Sequence, residues 1–159
     1  RVTMLTADKY NELHDLYKNQ NIVKTFAHDR CIEELKKLCI SKNISAPVVM
    51  DQYVTKVVYD KYLTQIHGNW DLKLHKVDVF QTKAESSYIA VAAASVIARY
   101  TFLKQIQELT KNYNKLTKDT IDVLPLGSTN KEDIKECIKK IKDHNGSLNS
   151  FIKLNFKLN

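Results

Sequence analysis

Apolar residues recur along most of this chain at helical spacing, and two short segments break that rhythm. The opening RVTMLT alternates, which predicts a short strand or its remnant. Thr6 or Asp8 then caps a helix with Tyr10, Leu13 and Tyr17 on one face, and the stretch 18–21 ends it. A second helix is predicted over 22–42, with Phe26, Ala27, Cys31, Leu35, Leu38 and Cys39 turned inward. Its other side sets Asn21, Lys24 and His28 along one stripe at i, i+3, i+7 spacing. Ala46-Pro47 closes that unit. In APVVMDQY the continuous run PVVM predicts a strand buried on both faces and ending at Asp51. A helix follows with Val54, Val57, Val58, Tyr62 and Ile66 inward, stopped at Gly68-Asn69. Residues 70–80 alternate imperfectly through Leu72, Leu74, Val77 and Val79, as one or two strands do. A long helix over 86–113, the loop LPLGSTN and an amphipathic helix over 131–142 come next. That last helix stops at Asn145-Gly146, and SLNSFIKLNFKLN reads as a short helix or an extended tail. The order helix, strand, helix, strand, helix predicts an α/β fold, a sheet layered with helices.

Composition narrows the class. At 159 residues and 43% hydrophobic content, the chain is expected to fold as one domain. No uninterrupted apolar run reaches the length of a membrane span, and the start has no signal-peptide pattern. Because the chain opens on Arg1 without Met, a fragment, a processed chain or a trimmed one is expected. Net charge is +7, with Lys far outnumbering Arg. A basic surface attracts polyanions, nucleic acid first among them, but scarce Arg argues against dense bidentate base reading. The three cysteines, Cys31, Cys39 and Cys137, form no CxxC pair. They are expected to be reduced, half-buried residues of a cytoplasmic protein rather than ligands or a disulfide.

Two acids stand out by position. Asp51 ends a buried strand, where α/β proteins place their sites, although Asp is also a favoured helix cap. Glu85 precedes the long helix, where the helix dipole alone favours a carboxylate. The helix behind it is small on nearly every side, at Ala90, Ala92, Ala93, Ala94, Ser95 and Ala98, which lets it lie close to a sheet. Alanine is also simply the best helix former. Lys83 and Arg99 are candidates for phosphate contact, as are Tyr10, Asn11, Asn21, Lys24 and His28, while each taken alone reads first as a solvated surface residue. His14, His67, His75 and His144 share no ligand spacing and read as structural, and there is no glycine-rich phosphate loop.

Taken together, the motifs become specific. TKAESSYIAVAAASVIAR (82–99) resembles the signature of the bacterial ribonuclease HIII family, in which a catalytic acid precedes a helix reading roughly VAxASxIAR. PVVMDQY resembles that family's strand ending in its third catalytic acid, with Tyr53 in place of Phe. DKYNELHDLYKNQNIVKTFAHD resembles its KYN…NxN…H segment, LPLGST its LPKGA loop and FIKLNFK its closing segment. The likeness runs through nearly the whole chain in order, and Glu85 after Thr82-Lys83 resembles ribonuclease HIII rather than HII, which has Asp in a Gly-Asp context.

The resemblance implies a ribonuclease H-like fold, a central mixed sheet flanked by helices, here lacking its first strands. It implies endonucleolytic hydrolysis of the RNA strand of RNA–DNA hybrids by two-metal-ion catalysis with Mg²⁺ or Mn²⁺. Asp51 and Glu85 are then catalytic metal ligands, with Tyr10, Asn11, Asn21, Lys24, His28, Lys83 and Arg99 binding substrate. The family uses four carboxylates, and its adjacent Asp-Glu pair on the first strand is not found here. Glu33-Glu34 and Glu132-Asp133 are adjacent acids, but they fall on polar helix faces. Leu126 stands where the family loop has Lys. The chain is therefore expected to be the C-terminal portion of a catalytic domain, without its N-terminal hairpin and substrate-binding domain, inactive alone. Its expected partners are an RNA–DNA hybrid and the missing N-terminal part of the same protein, with no membrane and a monomeric state. A rival reading is a non-catalytic nucleic-acid-binding module, and another is a metal-dependent nuclease of different specificity.

Overall fold

The computed structural model describes residues 1–70, 75–125 and 130–154, and its backbone contacts divide the chain into two compact units. The first comprises Arg1–Leu5 and Leu16–Ala98, the second Thr6–Asp15 and Arg99–Asn159. The helices are α1 (Ala7–Tyr17), α2 (Gln20–Ser41), α3 (Lys56–Trp70), α4 (Ile89–Thr117) and α5 (Lys131–Asp143). The strands are β1 (Val49–Asp51) and β2 (Val79–Gln81), with short 3-10 turns at Ala84–Ser86 and Leu148–Ser150.

In the first unit, α3 carries the chain from β1 to β2, so the strands run parallel. Val49 faces Val79, Met50 faces Phe80 and Asp51 faces Gln81. Ile32, Met50, Tyr59, Leu63 and Val77 form the buried cluster that joins α2 and α3 to this pair, with Val48, Tyr53, Val54 and Phe80 against it. Lys18 takes a left-handed conformation with φ 50°, which ends α1, and the Asn19 side chain then caps α2 by accepting from the Asn21 N–H at 2.9 Å.

Beside that cluster lies a charged link. The Asp29 carboxylate is fully buried and accepts from the His75 backbone N–H at 3.2 Å. It also lies 3.1 Å from His75 Nδ1 and pairs with Arg30, which in turn pairs with Glu33.

The second unit is built round Tyr113, Leu124, Ile141 and Phe151. Asn130 caps α5, and that helix carries Glu132 and Asp133 in its first turn and Lys140 and Lys142 in its last, matching the helix dipole. Past Asn145 (φ 56°), the Gly146 N–H closes on the Ile141 carbonyl at 2.8 Å. A Cβ at Gly146 would fall 2.5 Å from Leu116 Cδ2, 2.8 Å from Ile141 Cγ2 and 3.0 Å from the Ile141 carbonyl oxygen, so a larger residue there would force its neighbours to shift.

Several expectations are corrected. RVTMLT forms no strand. In α2 the buried face includes Thr25 and Asp29, whereas Leu35 is 41% exposed. The polar side chains go inside because their partners wait there: Tyr53 for Thr25 and His75 for Asp29. In α3 the inward residues are Tyr59, Leu63 and Ile66, while Val57 is 79% exposed, and the helix passes through Gly68-Asn69 to Trp70. The long helix begins at Ile89 rather than 86, so Glu85 sits in its own 3-10 turn. By length and composition α4 is also long and apolar enough to cross a membrane, which a search for uninterrupted apolar runs does not detect. Cys31, Cys39 and Cys137 are half-buried free thiols, in line with expectation. Leu72, Leu74, Leu126 and the end of the closing motif lie outside the described residues.

Candidate metal centre

Asp51 and Glu85 are 34 positions apart in sequence, but the fold bonds Asp51 to the turn that bears Glu85. Parallel pairing sets Asp51 beside Gln81, so the chain leaving β2 passes the end of β1. The Gln52 N–H reaches the Gln81 carbonyl at 2.9 Å and extends that pairing one residue further. The chain then turns sharply at Lys83, whose φ of 54° is left-handed and is sterically costly for a side chain other than glycine. The Ala84 N–H, released by that turn, donates to Asp51 Oδ1 at 3.1 Å. Ala84 is itself fully buried and anchors the 3-10 turn beneath Glu85.

This geometry removes one alternative. Asp51 does not cap α3, which starts five residues later, and Thr55 accepts from the Val58 N–H at that helix start. Both acids are exposed. Carboxylate oxygens are hard donors, which suit Mg²⁺ or Mn²⁺ and not a thiophilic ion. Among the described residues no group of three or more His, Cys, Asp or Glu converges.

The stripe on α2 lies in the same unit. Lys24 is exposed and Asn21 half-buried. His28 is half-buried and sets its ring edge-on to Tyr53, with centroids 5.2 Å apart at 77°. The Tyr53 hydroxyl lies 2.5 Å from Thr25 Oγ1, and burial pushes the phenol up to about 12. Tyr53 thus ties α2 to the segment that leaves Asp51, a role that its mild difference from Phe does not signal.

Burial, assisted by the charge of Lys24, lowers the pKa of His28. The unfolded chain therefore takes up a proton, at about the ordinary histidine value near 6.5, that the folded chain refuses. Stability from this group is present above that value and is lost as the pH falls through the lower folded value. His28→Phe is expected to flatten the drop in urea midpoint between about pH 7.5 and 5.5. An unchanged drop would mean that burial of His28 does not contribute to it.

The remaining candidates belong to the second unit. Arg99 is exposed on α4 with its guanidinium 5.5 Å from the Phe102 ring centroid. Tyr10 and Asn11 are buried. Asn11 donates to the Ile152 carbonyl at 2.9 Å and accepts from the Leu154 N–H at 2.8 Å, and Lys153 Nζ lies 4.4 Å from the Tyr10 ring centroid. Here these two residues clamp the C-terminal segment.

A family model, Ribonuclease HII, matches residues 3–159. Ribonuclease HIII of Bacillus cereus (strain ZK / E33L) is 36% identical over 155 residues, covering 96% of this chain and 45% of that protein. Ribonuclease HIII of Bacillus anthracis (strain A0248) is 35% identical over the same shares. Two solved structures share the fold. Bst-RNase HIII in complex with Mn²⁺ superposes with a TM-score of 0.72 at 24% identity, and a mutant protein of Bst-RNase HIII with 0.73 at 25%. Each match covers 97% of this chain and 46% of the solved one. The chain therefore spans about half the length of the relatives it matches.

Proposed function

Because the chain belongs to the ribonuclease HII family, we propose that it supplies part of a divalent-metal centre that hydrolyses the RNA strand of RNA–DNA hybrids. The observation that carries this reading is the bond from the Ala84 N–H to Asp51 Oδ1, which brings Asp51 beside the turn that bears Glu85. These two carboxylates would hold Mg²⁺ or Mn²⁺, and Mn²⁺ is the ion in the Bst-RNase HIII complex. When bound, such ions would supply Lewis-acid activation of a water and charge stabilisation for the leaving 3′ oxygen. This chain's own residues do the rest of the positioning. Lys83, one residue from the Asp51-bound amide, would offer a cation to the scissile phosphate. Lys24, Asn21 and His28 offer a cation and polar groups for phosphates and 2′-hydroxyls, the groups that mark RNA. Arg99 adds a phosphate contact, and Tyr10 with Asn11 acts through the segment they clamp.

The other ligands would come from the half of the family's length that these residues do not match, so the chain alone is expected to be inactive. A labelled RNA–DNA hybrid incubated with the 159-residue chain in Mg²⁺ and then Mn²⁺ tests this. Cleavage is expected to stay at background, and brisk cutting would refute the divided centre. The charge of +7 also suits a plain nucleic-acid-binding module. That alternative requires hybrid binding without cleavage even after the rest of the family fold is supplied.

A further inference from the structure

Two residues beyond Asp51, a hydroxyl reaches from the strand end into α2. The Gln52 N–H is pinned to the Gln81 carbonyl, so Tyr53 leaves β1 from a fixed backbone. Its ring packs against the buried cluster of this unit, edge-on to His28 and to Tyr59, with centroids 5.2 Å and 6.4 Å away. Its hydroxyl lies 2.5 Å from Oγ1 of Thr25, a side chain with no solvent exposure. The protons fix the direction of that bond. Thr25 has a single hydroxyl proton and donates it to the Asn21 carbonyl at 2.8 Å, so the Tyr53 O–H donates to Thr25. Two bonds of one polarity thus run from the segment that leaves Asp51 to the backbone of Asn21, in the first turn of α2. The other side of that residue is held as well. The Asn21 N–H donates to Asn19 Oδ1 at 2.9 Å, and Asn19 Nδ2 donates to the Tyr62 hydroxyl of α3 at 3.4 Å.

We infer that Tyr53 is a positioning residue, whose hydroxyl acts through Thr25 to set where Asn21, Lys24 and His28 stand relative to Asp51. The inference rests on the proposed reading of those three residues as substrate contacts. Ring packing alone tolerates sliding, whereas a hydrogen bond holds only over a narrow range of distance and angle. The bond therefore adds a register between strand end and helix that apolar contact does not supply. Tyr53 stands in place of Phe in the strand-end motif, and Phe would keep the ring contacts without the bond. Groups that hold a polynucleotide backbone act on bound substrate and transition state alike, so their displacement shows in affinity before it shows in rate.

The test uses this chain joined to the rest of the family fold, with hybrid affinity measured in Ca²⁺ and single-turnover cleavage in Mg²⁺ at saturating hybrid. Tyr53→Phe is expected to weaken hybrid binding by roughly tenfold and to change the saturated cleavage rate by less than about threefold. Thr25→Val should show the same loss, and the two together no more than either alone, because both break one relay. Thr25→Ser, which keeps the hydroxyl, should bind like the parent. In an Asn21→Ala, Lys24→Ala background the effect of Tyr53→Phe should shrink below about threefold. Circular dichroism checks that each variant folds, and Tyr53→Phe carries the test by itself if Thr25→Val does not. The inference is overturned if Tyr53→Phe lowers only the melting temperature and binds hybrid like the parent. It is also overturned if the cleavage rate falls at unchanged affinity, or if the full penalty persists without Asn21 and Lys24. Binding that depends on Tyr53 in a protein that cuts nothing would uphold the positioning role and sink the nuclease reading. Cleavage and binding indifferent to Tyr53→Phe would do the reverse, and a parent that binds no hybrid would overturn both.

Discussion

Asp51→Asn, placed in a protein completed by the rest of the family fold, is expected to lower hybrid cleavage by roughly three orders of magnitude or more. The amide keeps an oxygen for the Ala84 N–H, so the turn under Glu85 survives. The negative charge that a divalent cation requires is lost, and a metal-held transition state loses several kcal/mol, each 1.4 kcal/mol being about tenfold in rate. Hybrid binding should hold or tighten, because removing a negative charge near a phosphate backbone relieves repulsion. Glu85→Gln is expected to behave in the same way. The measurements are single-turnover cleavage and, separately, hybrid affinity in Ca²⁺ or without metal. An Asp51→Asn protein that cuts within about tenfold of its parent would remove Asp51 from the centre.

The largest effect on stability is expected at Asp29. Its carboxylate is fully sealed from solvent and answers the His75 backbone, the His75 ring and Arg30 together. Asp29→Ala strands those partners and is expected to cost about 3–5 kcal/mol, the usual cost of breaking a buried charged pair from one side. Asp29→Asn keeps an acceptor for the His75 N–H and should cost less. Urea unfolding followed by circular dichroism measures both. A loss under about 1 kcal/mol for Asp29→Ala would show that α2 and the segment before β2 are held by apolar packing alone.

These two acids also show how far a single sequence can be read. Asp51 is recognisable because it ends an apolar run too short for a helix, and strand ends are where α/β proteins place chemistry. Glu85 is recognisable from the motif around it, but its separate 3-10 turn and the left-handed Lys83 are not, since neither leaves a periodic trace. Asp29 escapes sequence reasoning entirely. A carboxylate in mid-helix between His28 and Arg30 looks solvated, and its burial depends on His75, 46 residues away. Thr25 misleads in the same way, because its partner Tyr53 lies beyond a strand, and periodicity assigns the inward face of α2 to Leu35 instead. Asn11 reads as a surface ligand for want of any local sign of Ile152 and Leu154. Periodicity reports which residues are greasy, whereas burial of a polar group is decided by a distant partner.

The crossover through α3 has a consequence for durability. Asp51 stays bonded to the turn that bears Glu85 only while that helix keeps its strands in register, so heat or a void left at Tyr59 or Leu63 would loosen that bond without touching either acid. By the same linkage, a cation held between them would act as a clasp on the crossover and raise its melting point.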